Sequence, residues 1–400
     1  MQMFDWMRTV WHLQVGRLLA RLRNQEAALR QFQSATEISP RHLKAHCLVG
    51  WSYEELQQYE KAIAAFDQAL QIAPDCAYAH ALKGCSWAHL GRYQEAVDAL
   101  HRAFRIQPRY QDNVVYLETL AFCYYHLDHV EKALETYLVA ERLSPKNSEF
   151  AFRVGWALGK LERYQEAEAP LKRAISLNPT HADAYYNLGI ALYQLKRFDE
   201  SLAVFKKVHA LRPGVADPLI ARAIVHKDQG RFDETATTLM EALRAEPDNS
   251  EAYLQLSVLY GDNSRWEESL AASKRLAELR PKHEIGYLAM CAAYQELKRF
   301  PEQIDACKQA LRVNPNSLPA LEGLASATAE MSRYEESVVA LTRAIKISPG
   351  VPYLHAWLAQ AYAELGDVEG AADEQRTLSM LDPKLGADIE KIIQKKSAGS

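Results

Sequence analysis

Eleven prolines recur along this chain at near-constant spacing: Pro40, Pro74, Pro108, Pro145, Pro179, Pro213, Pro247, Pro281, Pro315, Pro349 and Pro383. Nine of the ten intervals are 34 residues, and the one from Pro108 to Pro145 is 37. A fold built once has no use for such a ladder. A constant period of about 20–50 residues marks stacked supersecondary units, each burying its apolar face only against its neighbours. That rule overrides the two or three separate domains that 400 residues would otherwise suggest.

The ladder serves as a ruler when each proline is numbered position 32. Position 8 is small throughout: Gly16, Gly50, Gly84, Ala121, Gly155, Gly189, Ala223, Ser257, Cys291, Ala325 and Ala359. Position 20 is small in every repeat except at Gln303, and position 27 is alanine in eight, with Val208, Leu276 and Leu378 departing. Position 17 is aromatic in eight, from Tyr59 to Tyr334. Small residues at three fixed points let two antiparallel helices approach closely, and the aromatic plugs the turn between them. Glycine or a polar residue near position 15 ends the first helix, and proline at 32 stops the second.

This pattern resembles the tetratricopeptide repeat family. Repeat 2 carries Val49, Gly50, Tyr53, Ala62, Phe66, Ala69 and Pro74 at the signature positions, and repeat 6 carries Tyr185, Leu188, Gly189, Phe205 and Pro213. The resemblance covers roughly residues 9 to 385 and implies an all-α, right-handed solenoid of antiparallel helix pairs with a concave and a convex face. The expected organisation is an N-terminal cap at 1–8, repeats 1–3 at 9–110, repeats 4–11 at 114–385, and a capping helix and frayed tail at 386–400. Two irregularities stand out. Three extra residues fall within Arg109–Asn113, and repeat 7 places Arg222, His226 and Gln229 where its siblings are mostly apolar. Each marks either a soft joint or drift that a long solenoid absorbs.

Composition narrows the function. Net charge is −4, and residues 1 to 200 carry 23 basic and 23 acidic side chains, so the deficit lies in the second half. No basic stripe of the kind that neutralises phosphates is present, which argues against nucleic acid as partner. Six cysteines lack close pairing and suit a reducing compartment. No secretory signal or membrane span is legible, so the expected location is cytoplasmic.

With about 100° per residue, positions 2, 5, 6, 9, 12 and 13 of the first helix share the face opposite its packing side. The resemblance marks that concave face as the usual ligand site. From repeat 4 onward it offers Phe122, Tyr125, Phe152, Trp156, Tyr186, Asn187, Ile190, Tyr193, Ile220, Ile224, Leu254, Val258 and Leu288. Aromatic and aliphatic anchors in a groove suit a peptide or an amphipathic helix, while tyrosines at positions 5 and 12 also serve the family as packing supports. Position 13 turns acidic in the last five repeats, with Asp228, Asp262, Glu296, Glu330 and Glu364, a stripe suited to a basic segment or simply a solvated helix end. The carboxylate clamp of the family's chaperone adaptors is missing around Asn187, where Phe152 and Trp156 precede and Asp217 and Ala221 follow.

No catalytic motif, phosphate loop or paired-cysteine zinc spacing is present, so neither an enzyme nor a cofactor is expected. Cys85, His89 and His126 form the nearest approach to a metal set, one ligand short of a tetrahedral site. His12, His46 and His80 share position 4 and read as stacked structural imidazoles. The opening segment, rich in Met, Phe and Trp, suits either an end cap, with Leu18 and Leu22 in packing register, or a membrane surface. The reading is a non-enzymatic scaffold that binds a protein or peptide. Its alternatives are a self-assembling (homo-oligomeric) or membrane-associated scaffold, or the recognition subunit of an enzyme complex.

Overall fold

The computed structural model describes residues 2–397, and the end of the expected tail, 398–400, lies outside them. The described residues form 23 α-helices and one short 3-10 helix, with no strand. The helices alternate as first and second members of eleven pairs, followed by one more. Repeat 2 is typical, with Leu43–Glu55 and Tyr59–Ile72.

Each second helix stops two residues before its ladder proline, as at Ile38, Ile72, Leu143 and Val313. The residue between adopts an extended or near-extended conformation, such as Ala73 at φ −139°, ψ 93°. Steric conflict with the proline ring disfavours helix there. The turn within every repeat is also fixed. Position 15 has positive φ, between 56° and 75°, in all eleven repeats, and only Gly91, Gly230 and Gly366 are glycines. The other eight include Arg23, Gln57, Asp128 and Lys298. The following amide bonds back five residues, as in Gln58 to Tyr53 and Arg299 to Tyr294. That closure satisfies helix-end carbonyls and compensates the left-handed residue.

The helices of a pair meet through positions 8 and 24, whose volumes complement one another. A Cβ added to Gly50 would lie 2.5 Å from Phe66 Cε1, and Gly16 and Gly189 are equally close to Phe32 and Phe205. Elsewhere the pair becomes Ser257 and Ser273, hydrogen-bonded at 2.7 Å, or Cys291 and Cys307, with sulfurs 2.7 Å apart.

The insertion is accommodated in a five-residue 3-10 turn, Pro108–Asp112. Tyr110 packs edge-on against Tyr116, and Asn113 accepts bonds from the amides of Val115 and Tyr116 to start the next helix. The chain divides into two compact units, one ending at Leu211 and the other starting at Arg212. The first holds repeats 1–6 and the second holds repeats 7–11 and the last helix. The boundary falls next to repeat 7, the one with polar substitutions in its first helix.

Both ends differ from the sequence expectation. The first helix runs continuously from Gln2 to Arg21, so the described residues of the expected cap extend the first helix of repeat 1. Leu18 and Leu22 are exposed, not packed. Position 10 is buried in later repeats, as at Ser52 and Ala157, whereas Leu18 in repeat 1 faces solvent. The last helix starts at Pro383, earlier than residue 386, because Asp382 accepts from the amides of Lys384 and Leu385. It buries Ile389 against Ala356, Ala359 and Leu378.

Candidate functional site

Within each unit the first helices of neighbouring repeats lie side by side, as Ser148–Lys160 does with Ala182–Gln194 and Ile285–Glu296 with Leu318–Glu330, and the face they present carries the residues singled out from sequence. Position 5 is free in some repeats and not in others: Leu254 and Leu288 stay half-buried on that face, whereas two of the expected residues do not reach it. Phe152 and Ile220 are 7% and 6% exposed and sit in the cores of their units, which removes them from any contact surface. The start of the next first helix covers Phe152, whose ring lies 4.8 Å from that of His181. Tyr186, also at position 5, turns toward Phe205 of its own pair, with ring centroids 5.7 Å apart.

Phe122 and Val258 are exposed, while Tyr125, Trp156, Asn187, Ile190, Tyr193, Ile224, Leu254 and Leu288 are half-buried. In the first unit, Tyr125 meets Trp156 edge-on at 4.5 Å. Trp156, Asn187 and Ile190 then converge with Lys160 and Tyr164 on a cleft of about 130 Å³ between repeats 5 and 6. The Lys160 ammonium stands 6.0 Å from the Trp156 ring, and Asn187 Nδ2 donates to the Asp183 carbonyl at 2.9 Å.

A second cleft, of about 500 Å³, opens between repeats 10 and 11. It is built from the same positions: Ser326, Ala329, Glu330 and Tyr334 from one repeat, and Trp357, Gln360, Ala361 and Glu364 from the next. Trp357, 41% exposed, also borders an adjoining cleft of about 310 Å³ that contains Leu288, Gln295 and Glu322. Tyr353 lies 5.5 Å from Trp357 and donates to Glu322 at 2.5 Å. Tyr353 and Trp357 were missed from sequence, although they stand at groove positions 2 and 6 of repeat 11. Carrying the same ruler two repeats further would have found them.

The acidic stripe lies wholly in the second unit. Glu330 and Glu364 share the cleft between repeats 10 and 11, and Asp262 stands 3.6 Å from Lys227. Asp228, Asp262, Glu296 and Glu330 are exposed, and Glu364 is half-buried.

In repeats 3 and 4 position 13 has a different task. His89 stacks flat on Tyr59 at 4.6 Å, and His126 stacks on Tyr93 at 4.5 Å, closing the cleft over the aromatic of the preceding repeat. The two imidazoles are thus packing elements, and burial pushes the Cys85 thiol up to about 12. Among the described residues no group of three or more His, Cys, Asp or Glu could share a metal ion. The position 4 histidines are not stacked on one another. His46 and His80 each bond the carbonyl of the ladder proline six residues earlier, at 2.8 and 2.9 Å, and His355 does the same to Pro349. His12 bonds Gln31 instead. Burial, first of all, holds His80 below the ordinary imidazole range.

One groove carboxylate is electrostatically unusual. Glu54, at position 12 of repeat 2, is pushed up to about 7, chiefly by burial and secondarily by the adjacent Glu55.

The family described as "Cilia and flagella-associated protein 70 C-terminal domain", a tetratricopeptide repeat domain, matches residues 78–284, just over half the chain. Two further tetratricopeptide repeat families match residues 43–76 and 322–378. This chain is a tetratricopeptide repeat protein. Its fold is accordingly the all-α repeat solenoid of that family. No curated protein matches the chain. Among solved structures, MamA is similar at 24% identity over 42% of this chain and 96% of its own, with a TM-score of 0.39. Yeast Tom70 is similar at 13% identity over 98% of this chain and 96% of its own, with a TM-score of 0.41. YrrB, described as a tetratricopeptide protein with an unusual peptide-binding site, shares 21% identity over 55% of this chain and 95% of its own, with a TM-score of 0.32. Among the described residues no helix of this protein is long and apolar enough to cross a membrane.

Proposed function

We propose that this tetratricopeptide protein is a non-enzymatic scaffold. It holds a segment of a partner protein along the face made by its first helices, with side-chain anchors seated between adjacent repeats. The observation that carries the reading is the recurrence of one cleft at equivalent positions, between repeats 5 and 6 and between repeats 10 and 11. A lone surface depression is common, whereas the same seat built twice by a repeat is a property of the scaffold. Its walls supply aromatic anchors, Trp156 and Trp357, of the kind that dominate recognition energetics.

The test is selection of peptides from a displayed random library against the full chain, followed by affinity measurement on purified variants. Trp156→Ala combined with Ile190→Asp should weaken a class of selected peptides by about tenfold or more while helical circular dichroism is unchanged. Peptides whose affinity ignores substitutions in both seats would refute groove binding.

A second reading has its own observation. Met3, Phe4, Trp6, Met7 and Trp11 are all more than half exposed on the first helix, which suits self-association through that end. Light scattering should then give a mass well above 45.3 kDa that falls when Trp6 and Trp11 are replaced by serine. A concentration-independent monomer refutes it.

A further inference from the structure

The two seats share a plan but not a chemistry. Between repeats 5 and 6, Trp156 at position 9 occupies much of the space, and Lys160 at position 13 brings a positive charge. Between repeats 10 and 11, position 9 is Ser326, which leaves the larger cleft, and position 13 is glutamate in both repeats. The imidazoles that lie flat on Tyr59 and Tyr93 earlier in the chain are replaced here by Glu364 beside Tyr334. The result is a pocket with two aromatic residues, Tyr334 and Trp357, and two carboxylates, Glu330 and Glu364. No basic residue lines it or the adjoining cleft, whose own charged residue is Glu322.

Aromatic faces attract cations through their quadrupole, and carboxylates accept charge-assisted hydrogen bonds from ammonium and guanidinium groups. The same carboxylates repel an acidic segment, and an apolar segment would take them out of water without offering a donor of its own. We propose that the cleft between repeats 10 and 11 seats a lysine or arginine side chain from a basic segment of a partner protein. Trp357 and Tyr334 provide its walls, and Glu330 and Glu364 its counter-charges. This rests on the groove reading and names the partner chemistry for one of its seats.

The test uses the full chain labelled with fluorotryptophan, with the Trp357 fluorine resonance assigned through Trp357→Phe. The probe is an acetylated and amidated peptide of four Arg-Gly repeats. Its control carries citrulline for arginine, equal in size but uncharged. The arginine peptide should shift the Trp357 resonance saturably, and the citrulline peptide should not. Glu330→Gln with Glu364→Gln should weaken the arginine peptide by about tenfold or more. Trp156→Ala, in the other unit, should leave its affinity unchanged. Equal binding of the citrulline peptide, indifference to the double Gln variant, or a stationary Trp357 resonance would each overturn the proposal. The groove reading fails separately: it survives those results if selected peptides still depend on Trp156 and Ile190, and falls if their affinity ignores substitutions in both seats.

Discussion

Replacing Gly50 with alanine tests whether the helix pair is held by the volume match between positions 8 and 24. The new Cβ would lie 2.5, 2.7 and 2.8 Å from three ring atoms of Phe66. Ordinary carbon contacts are about 3.5–4.0 Å, so the ring must move by about 1 Å. It has nowhere to go, being fully buried among Cys47, Ala62, Ala69 and Ala79. Overpacking of this kind costs about 1–3 kcal/mol, while alanine gains about 0.5–1 kcal/mol over glycine in a helix. The expected outcome therefore lies between no net change and a loss of about 2.5 kcal/mol, against the gain expected where the Cβ meets nothing. Phe66→Leu alone should also destabilise, by leaving a void. Combined with Gly50→Ala it should recover part of the loss, because Ala223 with Leu239 and Ala325 with Leu341 are the same pairing in other repeats. The coupling in the double-mutant cycle should be about 1–2 kcal/mol. Gly159→Ala is the control, since nothing lies within 4 Å of its added Cβ, and it should stabilise by about 0.5–1 kcal/mol. Urea unfolding followed by helical circular dichroism measures all four variants. Hydrogen exchange of the helices Leu43–Glu55 and Tyr59–Ile72 localises the effect. Stabilisation by Gly50→Ala matching that of Gly159→Ala, or strict additivity in the cycle, would refute the reasoning.

Two further expectations follow from buried groups. Glu54 ionises near 7 in the folded chain against 4.5 in the unfolded one, so its neutral form is favoured by folding. The associated stability is complete below 4.5 and is lost as the pH rises through about 7. Glu54→Gln should therefore stabilise the protein by about 1–3 kcal/mol near pH 8 and hardly at all near pH 4. Urea midpoints that shift equally at both pH values would contradict the assignment. Cys291 and Cys307 occupy the positions that Ser257 and Ser273 fill one repeat earlier. Changing both cysteines to serine should cost under about 2 kcal/mol, and less than the sum of the two single changes, because each single variant leaves a hydroxyl facing a thiol. A double variant as unstable as that sum would show that the positions are not equivalent.

Much of the fold was legible because a repeat multiplies every local signal. One proline at 32 is a weak hint of a helix end, but eleven in register assign a position, and so a face, to each residue. The turn was legible only in part. Arg23, Gln57 and Lys298 are ordinary residues whose left-handed conformation appears only once the next residue's amide is seen to bond five residues back and close the helix. The site was read less well. Helical geometry alone put Phe152 and Ile220 on the free face, because the wheel describes one helix. Burial at position 5 depends on the neighbouring first helix, whose approach the wheel does not contain.

The sequence by itself determined the period, the helix pairs, their ends and the side each residue takes, since all of these follow from backbone sterics and local spacing. Tertiary structure decided which of the facing positions remain open. His89 and His126 close their seats by stacking, Trp156 narrows its own, and Ser326 with Glu364 leaves one wide and acidic. Tertiary structure also placed the division at Leu211, inside the apolar stripe that sequence read as a single run from Phe122 to Leu288. A cleft is the space left between two repeats after both have packed. Its volume and charge are therefore properties of the pair, which no single position in the ladder carries.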